Sequence, residues 1–413
     1  MELKEYKIKE IGKVVTGKTP STFDRENFGS DFLFITPSEL HDGYRIVDSE
    51  KKISLKGFNS IKSNTITGKS VLVGCIGWDM GNVGYTEETC ATNQQINSIC
   101  EFKSFCNPQY AYYWLSTKKD YLFSIASVTR TPLLSKSTFS EILIPLPKIE
   151  YQNKIANILS SIDSKILINK KINKELEDMF KEIYNFWFIQ FDFPDIYGNP
   201  YKSSGGKMIY NDVLKCEIPD GWIIESLYNN SLCEIIKPGV IKFNKKEYLA
   251  TANIIGTDFF EGDIIEYETR ENRANMQPSM YSIWFAKMKN SIKHLFLNAE
   301  MKSIINNVIL STGFCGLQTT EINFEYLCSF ISSPAFEIIK NTLSHGATQQ
   351  AVSNEDLLQI PLIIPPEHIL KNYHDKLNSI FSLYLKNMIE NRRLKALRDE
   401  LLPMLMNGQL RVN

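Results

Sequence analysis

Apolar side chains in two segments of this chain recur on one seven-residue pattern. Residues 127–188 are repeated without a gap at 345–406, each residue number rising by 218. From Ile155 to Trp187, alternating steps of four and three residues meet an apolar side chain at eight of ten positions. Such a pattern over more than four heptads is typical of a coiled-coil helix. We therefore expect one long helix in each copy, the second with its seam starting at Tyr373.

Two asparagines interrupt each apolar seam at the same places. Asn169 and Asn173 in the first copy correspond to Asn387 and Asn391 in the second. If the two helices pair antiparallel, Asn169 faces Asn391 and Asn173 faces Asn387, so each amide has a partner. A slipped alignment would bury unpaired amides at about 1–3 kcal/mol each. The four asparagines are therefore predicted to set the helix register, although separate helices with solvent-exposed asparagines fit the same sequence.

The antiparallel alignment also predicts which other seam residues meet. It places Phe180 opposite Ile380. It also places Ile162 opposite Arg398, a poor pair that is tolerable if the arginine stem packs and its head reaches water. Pro403 lies near the end of the second helix and is expected to kink it or end it early.

The remaining sequence has the length of two globular domains. Two domains of about 150 residues can each bury a core, and a duplication of this size favours a pseudo-two-fold molecule. The predicted bounds are 1–147 for the first domain, 148–191 for the first helix, 192–365 for a junction and the second domain, and 366–413 for the second helix.

Composition narrows the classes of protein that this chain could belong to. No apolar run approaches the ~20 residues of a membrane span, which favours a cytoplasmic protein without membrane contact. Eight cysteines and five histidines show no CxxC and no HxxxH spacing. We expect buried reduced thiols and no structural metal.

Contact with nucleic acid requires local clusters, because the net charge is only −1. Residues 51–78 and 272–299 contain no acid but several cations. Lysines can contact phosphates, and amides or guanidiniums can pair with base edges, although either cluster alone could be an ordinary solvated face. The predicted DNA-binding residues are Lys18, Thr19, Ser21, Lys52, Lys62, Lys69, Asn93, Gln94, Gln95 and Arg130 in the first half, and Arg270, Arg273, Asn275, Gln277, Lys287, Lys289, Lys293, Gln318, Gln349 and Gln350 in the second.

Two motifs suggest catalysis, but their context argues against it. Residues 12–19 satisfy the P-loop pattern, yet Pro20 follows at once and 21–31 lack the apolar stripe of a helix. We interpret this stretch as an exposed turn suited to a phosphate backbone. Residues 107–110 look like the Asn-Pro-Pro-Tyr of amino-methyltransferases with one proline missing, but Asn at an N-cap and Pro at the first helical position fit better. No catalytic residue is predicted.

Several short runs carry a resemblance to a known family. They are residues 191–195, 198–208 and 218–222 at the junction, with 36–40, 91–95, 144–147, 150–152 and 402–408 elsewhere. Together with the two-half layout, they make essentially the whole chain similar to the specificity subunits of type I restriction–modification systems. One departure is the start of the second helix at 365–370, which lacks the Glu-x-Gln of residues 150–152.

This resemblance implies a fold and a function. The fold would be mixed α/β, with two target recognition domains held apart by two long antiparallel coiled-coil helices. The chain would be a non-catalytic subunit that binds no cofactor and reads double-stranded DNA at a split site. Its partners would be two modification subunits, which bind S-adenosylmethionine and methylate adenine, and restriction subunits, which use ATP and Mg²⁺.

The halves differ outside the repeat, and residues 270–277 have no clear counterpart in the first half. We therefore expect an asymmetric target. Two other classes remain open. A self-contained restriction–methylation enzyme would need a cofactor loop and a catalytic motif. A two-headed scaffold protein would leave the paired basic clusters unexplained.

Overall fold

The computed structural model of the chain describes residues 3–41, 44–128, 130–347 and 349–410. It has the mixed α/β class that the resemblance implies. Its contacts divide the chain into two compact units. Unit 1 comprises Met1–Leu167 with Arg393–Asn413, and unit 2 comprises Ile168–Arg392.

Two four-stranded sheets form the body of unit 1. The order is β2-β9-β6-β7 in one, all antiparallel, and β4-β3-β8-β5 in the other, where β3 and β8 run parallel. Strands β1 and β12 form a separate antiparallel pair. The strands are β1 (Lys4–Lys7), β2 (Lys13–Thr16), β3 (Phe28–Ile35), β4 (Lys51–Ile53), β5 (Thr65–Ile66), β6 (Ser70–Gly74), β7 (Val83–Thr86), β8 (Cys90–Thr92), β9 (Ile96–Cys100), β10 (Ser127–Val128), β11 (Pro132–Leu133) and β12 (Leu143–Leu146).

The helices of unit 1 are α1 (Ile8–Ile11), α2 (Leu55–Ser60), α3 (Pro108–Ser116), α4 (Lys119–Ser124), α5 (Lys136–Glu141) and the start of α6 (Ile149–Tyr184). Helices α1, α3 and α5 pack against the first of the two four-stranded sheets, whereas α2 packs against β3 and β4 of the second. Asn107 caps α3 by accepting hydrogen bonds from two backbone N–H groups, and Pro108 fills its first position. The helix start predicted in place of a methyltransferase motif is therefore confirmed.

Unit 2 repeats this strand topology. Its sheets have the orders β16-β25-β22-β23 and β20-β17-β24-β21, with β17 and β24 parallel, and β15 pairs with β26 as β1 does with β12. The strands are β13 (Met208–Asn211), β14 (Cys216–Pro219), β15 (Ile223–Ser226), β16 (Cys233–Ile235), β17 (Lys245–Leu249), β18 (Ile254–Ile255), β19 (Asp258–Phe259), β20 (Asp263–Glu266), β21 (Ala274–Met276), β22 (Ser282–Ala286), β23 (His294–Leu297), β24 (Val308–Ser311), β25 (Phe314–Thr319) and β26 (Pro361–Ile364).

The helices of unit 2 include most of the second long helix. They are α7 (Lys302–Asn307), α8 (Phe324–Ile331), α9 (Pro334–Leu343) and α10 (Glu367–Met406), while α6 runs into this unit and is followed by a π-helical turn at Asn185–Ile189. In α8, the buried Glu325 lies 2.7 Å from His374 Nδ1 of α10. Burial raises the pKa of Glu325, although the hydrogen bond and charge of His374 oppose the shift.

Within unit 2, α6 and α10 pair antiparallel through their asparagines. Asn169 Nδ2 donates to Asn391 Oδ1 at 3.0 Å, and Asn387 Nδ2 donates to Asn173 Oδ1 at 2.9 Å. All four side chains are buried. These are the pairs that the antiparallel alignment predicts. Exposed asparagines on separate helices, the alternative reading, do not occur.

One seam contact in unit 2 differs from its prediction. The ring of Phe180 stacks on Phe381 with 4.0 Å between centroids, whereas the sequence placed Ile380 opposite it. Phe381 is buried, and Ile380 only packs against the margin of the core. A flat aromatic side chain gains more from stacking on a second ring than from an aliphatic partner, which explains the choice of the neighbouring residue.

The poor seam pair predicted in unit 1 is replaced by an ion pair. Arg398 Nη1 donates to Asp163 Oδ1 at 2.9 Å, and Tyr113 Oη donates to Asp163 Oδ2 at 2.6 Å. The Asp163 side chain is only 3% exposed. The arginine head therefore binds a buried carboxylate, which the seam pattern did not predict, while its side chain stays 22% exposed. Burial raises the pKa of Asp163 even though Arg398 opposes the shift.

Of the two effects expected of Pro403, an early end of α10 is wrong, and a kink stays a prediction. Helix α10 continues to Met406 with Pro403 inside its last turn. Leu405 and Met406 pack with Ile155 and Leu159 of α6 in the core of unit 1. Burial of these side chains can offset the hydrogen bond that a proline removes.

Candidate nucleic-acid interface

Two loops of unit 1 that carry predicted DNA-binding residues lie against each other. Thr19 Oγ1, in the turn after β2, donates to Gln94 Oε1, in the loop after β8, at 2.9 Å. A Cβ atom built on Gly17 would lie 2.1 Å from Thr92 Oγ1, so only glycine permits this approach. The exposed Lys18 therefore lies in the turn that contacts the loop of the exposed Gln94.

The three consecutive amides after β8 have different surroundings. Asn93 Nδ2 donates to Gln95 Oε1 at 2.9 Å, and the Gln95 N–H donates to Asn93 Oδ1 at 3.1 Å. Asn93 and Gln95 therefore brace the loop and are half-buried, whereas Gln94 is exposed. Of the three predicted base readers, Gln94 has the side chain best placed to meet a ligand.

Two further segments join this surface of unit 1. Asn64, two residues after Lys62, donates from its Nδ2 to the backbone oxygen of Thr16 at 2.9 Å. The backbone N–H of Cys75 donates to Gln95 O at 2.7 Å. We call the turn after β2, the loop after β8, and residues 62–64 and 75–78 together the unit 1 surface.

Arg130 reaches the unit 1 surface through the hairpin of β10 and β11. The arginine is exposed at the turn of this hairpin. Ile76 forms a β-bridge with Leu133, and the Gly77 N–H donates to Pro132 O at 3.0 Å. Ser21 and Lys69, two further predicted DNA-binding residues of this unit, are also exposed. Ser21 lies between β2 and β3, and Lys69 lies between β5 and β6.

Acidic residues from outside the stretch 51–78 pair with two of its lysines. Lys52 Nζ lies 2.9 Å from Asp48, and Lys56 Nζ lies 2.8 Å from Asp24. Two lysines of this stretch therefore have acidic partners from outside it, and DNA contact by Lys52 stays a prediction. Among the described residues, no acidic group lies within ion-pair distance of Lys62.

Unit 2 brings a corresponding set of segments together. The backbone oxygen of Arg273 accepts from the Thr312 N–H in the turn after β24 at 2.8 Å, and the Lys287 N–H donates to Gly313 O at 3.0 Å. The Gly239 N–H donates to Asn275 O at 2.8 Å. The exposed Arg273 thus lies beside the turn that corresponds to the loop after β8 in unit 1.

A second contact ties the glutamines of unit 2 to a lysine. Lys289 Nζ donates to Gln350 Oε1 at 2.8 Å, and the Lys289 N–H donates to Gln350 O at 2.9 Å. Met288 forms a β-bridge with Ala351, as Ile76 does with Leu133 in unit 1. Gln349 and Gln350 are exposed. We call the segments around Arg273, Lys289 and Gln350 the unit 2 surface.

Four other predicted DNA-binding residues of unit 2 have side chains that contact other residues of the chain. Lys293 Nζ donates to Thr251 O at 2.6 Å, and Gln318 Nε2 donates to Met280 O at 2.8 Å. The guanidinium of Arg270 lies 4.1 Å from the centre of the Tyr267 ring. Gln277 is half-buried, with its Oε1 unpaired among the described residues. DNA contact by these four residues stays a prediction, through phosphates for Lys293 and through bases for the other three.

The structure supplies the counterpart that the sequence did not show for 270–277. Strand β21 within this stretch pairs antiparallel with β24, and β5 pairs antiparallel with β8 in unit 1. Thr65–Ile66 is therefore its topological equivalent. The two stretches differ in length and side chains, which is why the sequence comparison failed there.

Sequence reasoning missed one exposed aromatic residue on the unit 1 surface. Trp78 directly follows Gly77 and is 71% exposed. Trp78 stands between Gly77 and Asp79, and Gly81 follows three residues after it. These glycines are the signal that could have identified Trp78 as a turn residue.

The described ranges contain no group of three or more His, Cys, Asp or Glu side chains able to hold a metal ion. No helix among these residues is both long and apolar enough to cross a bilayer.

A two-domain α/β protein with exposed cations and amides at equivalent sheet ends is a candidate nucleic-acid reader. A family model described as type I restriction modification DNA specificity domain matches residues 1–178. The type I restriction enzyme MjaIX specificity subunit of Methanocaldococcus jannaschii is 30% identical over 421 residues, covering 98% of this chain and 93% of that protein. The chain therefore belongs to the family of type I restriction enzyme specificity subunits, and the resemblance seen in the sequence is confirmed.

Two further comparisons agree. The type I restriction enzyme HindI specificity subunit of Haemophilus influenzae is 33% identical over 178 residues, which are 42% of this chain and 38% of that protein. The crystal structure of a type I restriction-modification S subunit from M. genitalium covers 98% of this chain and 96% of its own, with a TM-score of 0.57 and 13% identity. That structure supports the fold.

Proposed function

We propose that this chain is the non-catalytic subunit that reads DNA for a type I restriction–modification complex. Residues 1–147 and 192–365 would form its target recognition domains, each reading one half of a split site. The modification subunits that it directs would bind S-adenosylmethionine and methylate adenine, and restriction subunits would use ATP and Mg²⁺. This chain would supply the sequence specificity and bind no cofactor.

The observation that carries this proposal is that the two units share one strand topology but carry different side chains on the unit 1 surface and the unit 2 surface. The unit 1 surface offers Lys18, Gln94 and Arg130, and the unit 2 surface offers Arg273 and Lys289. Guanidinium and amide groups are the side chains that pair with two atoms of one base. Because the corresponding positions carry different groups, the two half-sites should differ, and the target should be asymmetric.

The helix pair supports a fixed spacing between the half-sites. The asparagine contacts allow one alignment of α6 and α10. A change of register would leave buried amides without hydrogen-bond partners. We infer that the DNA between the half-sites is measured in length and not read in sequence.

Sequencing of methylated bases in cells tests this proposal. The chain would be expressed with its modification subunits in cells that lack other adenine methylation. We expect one methylated motif made of two different parts separated by a fixed number of unread bases. A palindromic motif would contradict the asymmetric target, and the absence of any motif that depends on this chain would contradict the function.

The salt dependence of binding separates DNA reading from a scaffold role. With the assembled complex, the logarithm of the DNA association constant should fall steeply with the logarithm of salt concentration. Lys62→Ala should reduce the magnitude of that slope by about 1, since each phosphate contact releases about one counterion. Lys207→Ala is the matched control, because that exposed lysine is paired with Asp220 in the junction.

A further inference from the structure

Trp78 has an unusual position for a tryptophan. It is 71% exposed, whereas Trp114, Trp187, Trp222 and Trp284 are at most 7% exposed. An exposed indole forgoes the stabilisation that its burial would give the fold. An exposed large apolar side chain within a polar surface is characteristic of a contact site.

The local backbone keeps this side chain out of the core. Gly77 has a φ of 103° and Gly81 a φ of 93°, a region that residues with a Cβ atom rarely adopt. The Met80 N–H donates to Gly77 O at 3.2 Å and closes a turn around Trp78. Among the described residues, the indole has one aromatic neighbour, Phe123, at 6.2 Å between centroids, and 71% of the Trp78 surface remains exposed.

Both neighbours of this turn carry predicted base readers. On one side, Cys75 is hydrogen-bonded to Gln95 in the loop that presents Gln94. On the other side, Gly77 is hydrogen-bonded to Pro132 in the hairpin that presents Arg130. The segment that carries Trp78 is therefore held between these two structures by backbone contacts.

Asp79, the residue after Trp78, lies within ion-pair distance of two basic side chains. Asp79 Oδ1 lies 2.8 Å from Lys119 Nζ, and Asp79 Oδ2 lies 2.9 Å from His41 Nε2. The hydrogen bond from Lys119 lowers the pKa of Asp79, and the charge of Lys119 adds to this, although desolvation opposes the shift. A paired carboxylate repels phosphates less than a free one does, so the turn is compatible with a polyanion.

We propose that Trp78 is a DNA-contact residue of the first recognition domain, whose indole packs on a base or deoxyribose of the half-site that this domain reads. The inference rests on the proposed function and adds to it an apolar contact, in a surface otherwise built from cations and amides. An aromatic face gives affinity that involves no counterion.

The second domain offers different chemistry at the equivalent place. Lys289 donates to Gln350 as Gly77 donates to Pro132, so Asn290 corresponds to Trp78. Asn290 is exposed and has a φ of 56°. An indole in one domain and an amide in the other would add to the asymmetry of the target.

The test uses the complex assembled with its modification subunits and a synthetic duplex that carries the methylated motif. Trp78→Ala should weaken binding about 5- to 100-fold, as expected for loss of one base–aromatic contact, with an unchanged salt slope. Trp78→Phe should retain part of the affinity. Tyr197→Ala, at an aromatic side chain that is 83% exposed in the junction, is the matched control and should bind like the wild type.

Tryptophan fluorescence gives a second readout. The acrylamide-quenchable emission lost in Trp78→Phe complexes, relative to wild type, reports this indole. That difference should shrink when the duplex is bound.

Three results decide between the possibilities. If Trp78→Ala binds DNA like the wild type, or if quenching of Trp78 persists in the bound state, the inference is wrong. If Trp78→Ala loses modification subunits instead, the residue contacts protein and the inference is equally wrong. Failure of the wild-type complex to bind the motif would contradict the proposed function itself.

Discussion

The asparagine pair of α6 and α10 allows a quantitative test of how the helix register is set. Asn173 is 8% exposed and Asn387 is 7% exposed. Asn173 accepts from Asn387 at 2.9 Å and donates to Tyr384 O at 3.0 Å. Replacement of Asn173 by leucine removes both hydrogen bonds and leaves the Asn387 amide buried without its acceptor.

The size of the effect follows from these contacts. The stranded amide costs about 1–3 kcal/mol, and the lost hydrogen bond to Tyr384 about 1 kcal/mol. Burial of the leucine side chain returns about 1 kcal/mol. We expect Asn173→Leu to lower the local free energy of unfolding by about 2 kcal/mol. The double variant Asn173→Leu/Asn387→Leu strands no amide and should lie within about 1 kcal/mol of the wild type.

Hydrogen exchange followed by mass spectrometry measures this locally in the full chain. A loss of about 2 kcal/mol speeds exchange about 30-fold in peptides from 168–184 and 367–392. Asn157→Leu is the matched control, because Asn157 is an exposed residue of the same helix. The reasoning is refuted if Asn173→Leu behaves like this control. It is also refuted if the double variant loses the sum of the two single effects.

Three further predictions concern the buried polar groups and the close loop contact. Arg398→Ala should destabilise unit 1 by about 3–5 kcal/mol in thermal denaturation, because it leaves Asp163 buried without its cation; a double change to Asp163→Leu/Arg398→Met that is no more stable than Arg398→Ala would contradict this. Gly17→Ala should cost about 1–3 kcal/mol, since its Cβ would lie 2.1 Å from Thr92 Oγ1, and unchanged exchange in the loop after β8 would argue against it. Burial raises the pKa of Glu325 above its ordinary value of 4.5, so its contribution to stability is largest below that pH and falls as pH rises through the folded-state pKa. The stability of Glu325→Gln relative to wild type should therefore increase from pH 4 upward, and a constant difference would exclude this ionisation as the cause.

Local patterns in the sequence were sufficient for the helices and for the asparagine pairs. The seven-residue repeat fixes which face of α6 and α10 is apolar, and the position of Asn169 and Asn173 within it leaves one antiparallel alignment that pairs every amide. The start of α3 at Asn107 and Pro108 was likewise predictable, because a helix cap depends on neighbouring residues alone.

Contacts between distant segments were decided only by the tertiary structure. Lys56 lies in a stretch without acids, but Asp24 of a distant segment lies 2.8 Å from its Nζ. The seam pattern placed the apolar Ile162 opposite Arg398, yet the guanidinium binds Asp163, the next residue of α6. A charge count along the chain cannot detect such pairs, since their distances depend on how elements pack.

The sequence by itself thus determined the duplication, the paired helices and the family. Only the folded chain decided which exposed side chains share a surface, and that Trp78 lies between the structures that present Gln94 and Arg130. The physical reason is one of range. Helical periodicity and capping act between residues a few positions apart, whereas the loops at the ends of a sheet are brought together by strands far apart in sequence.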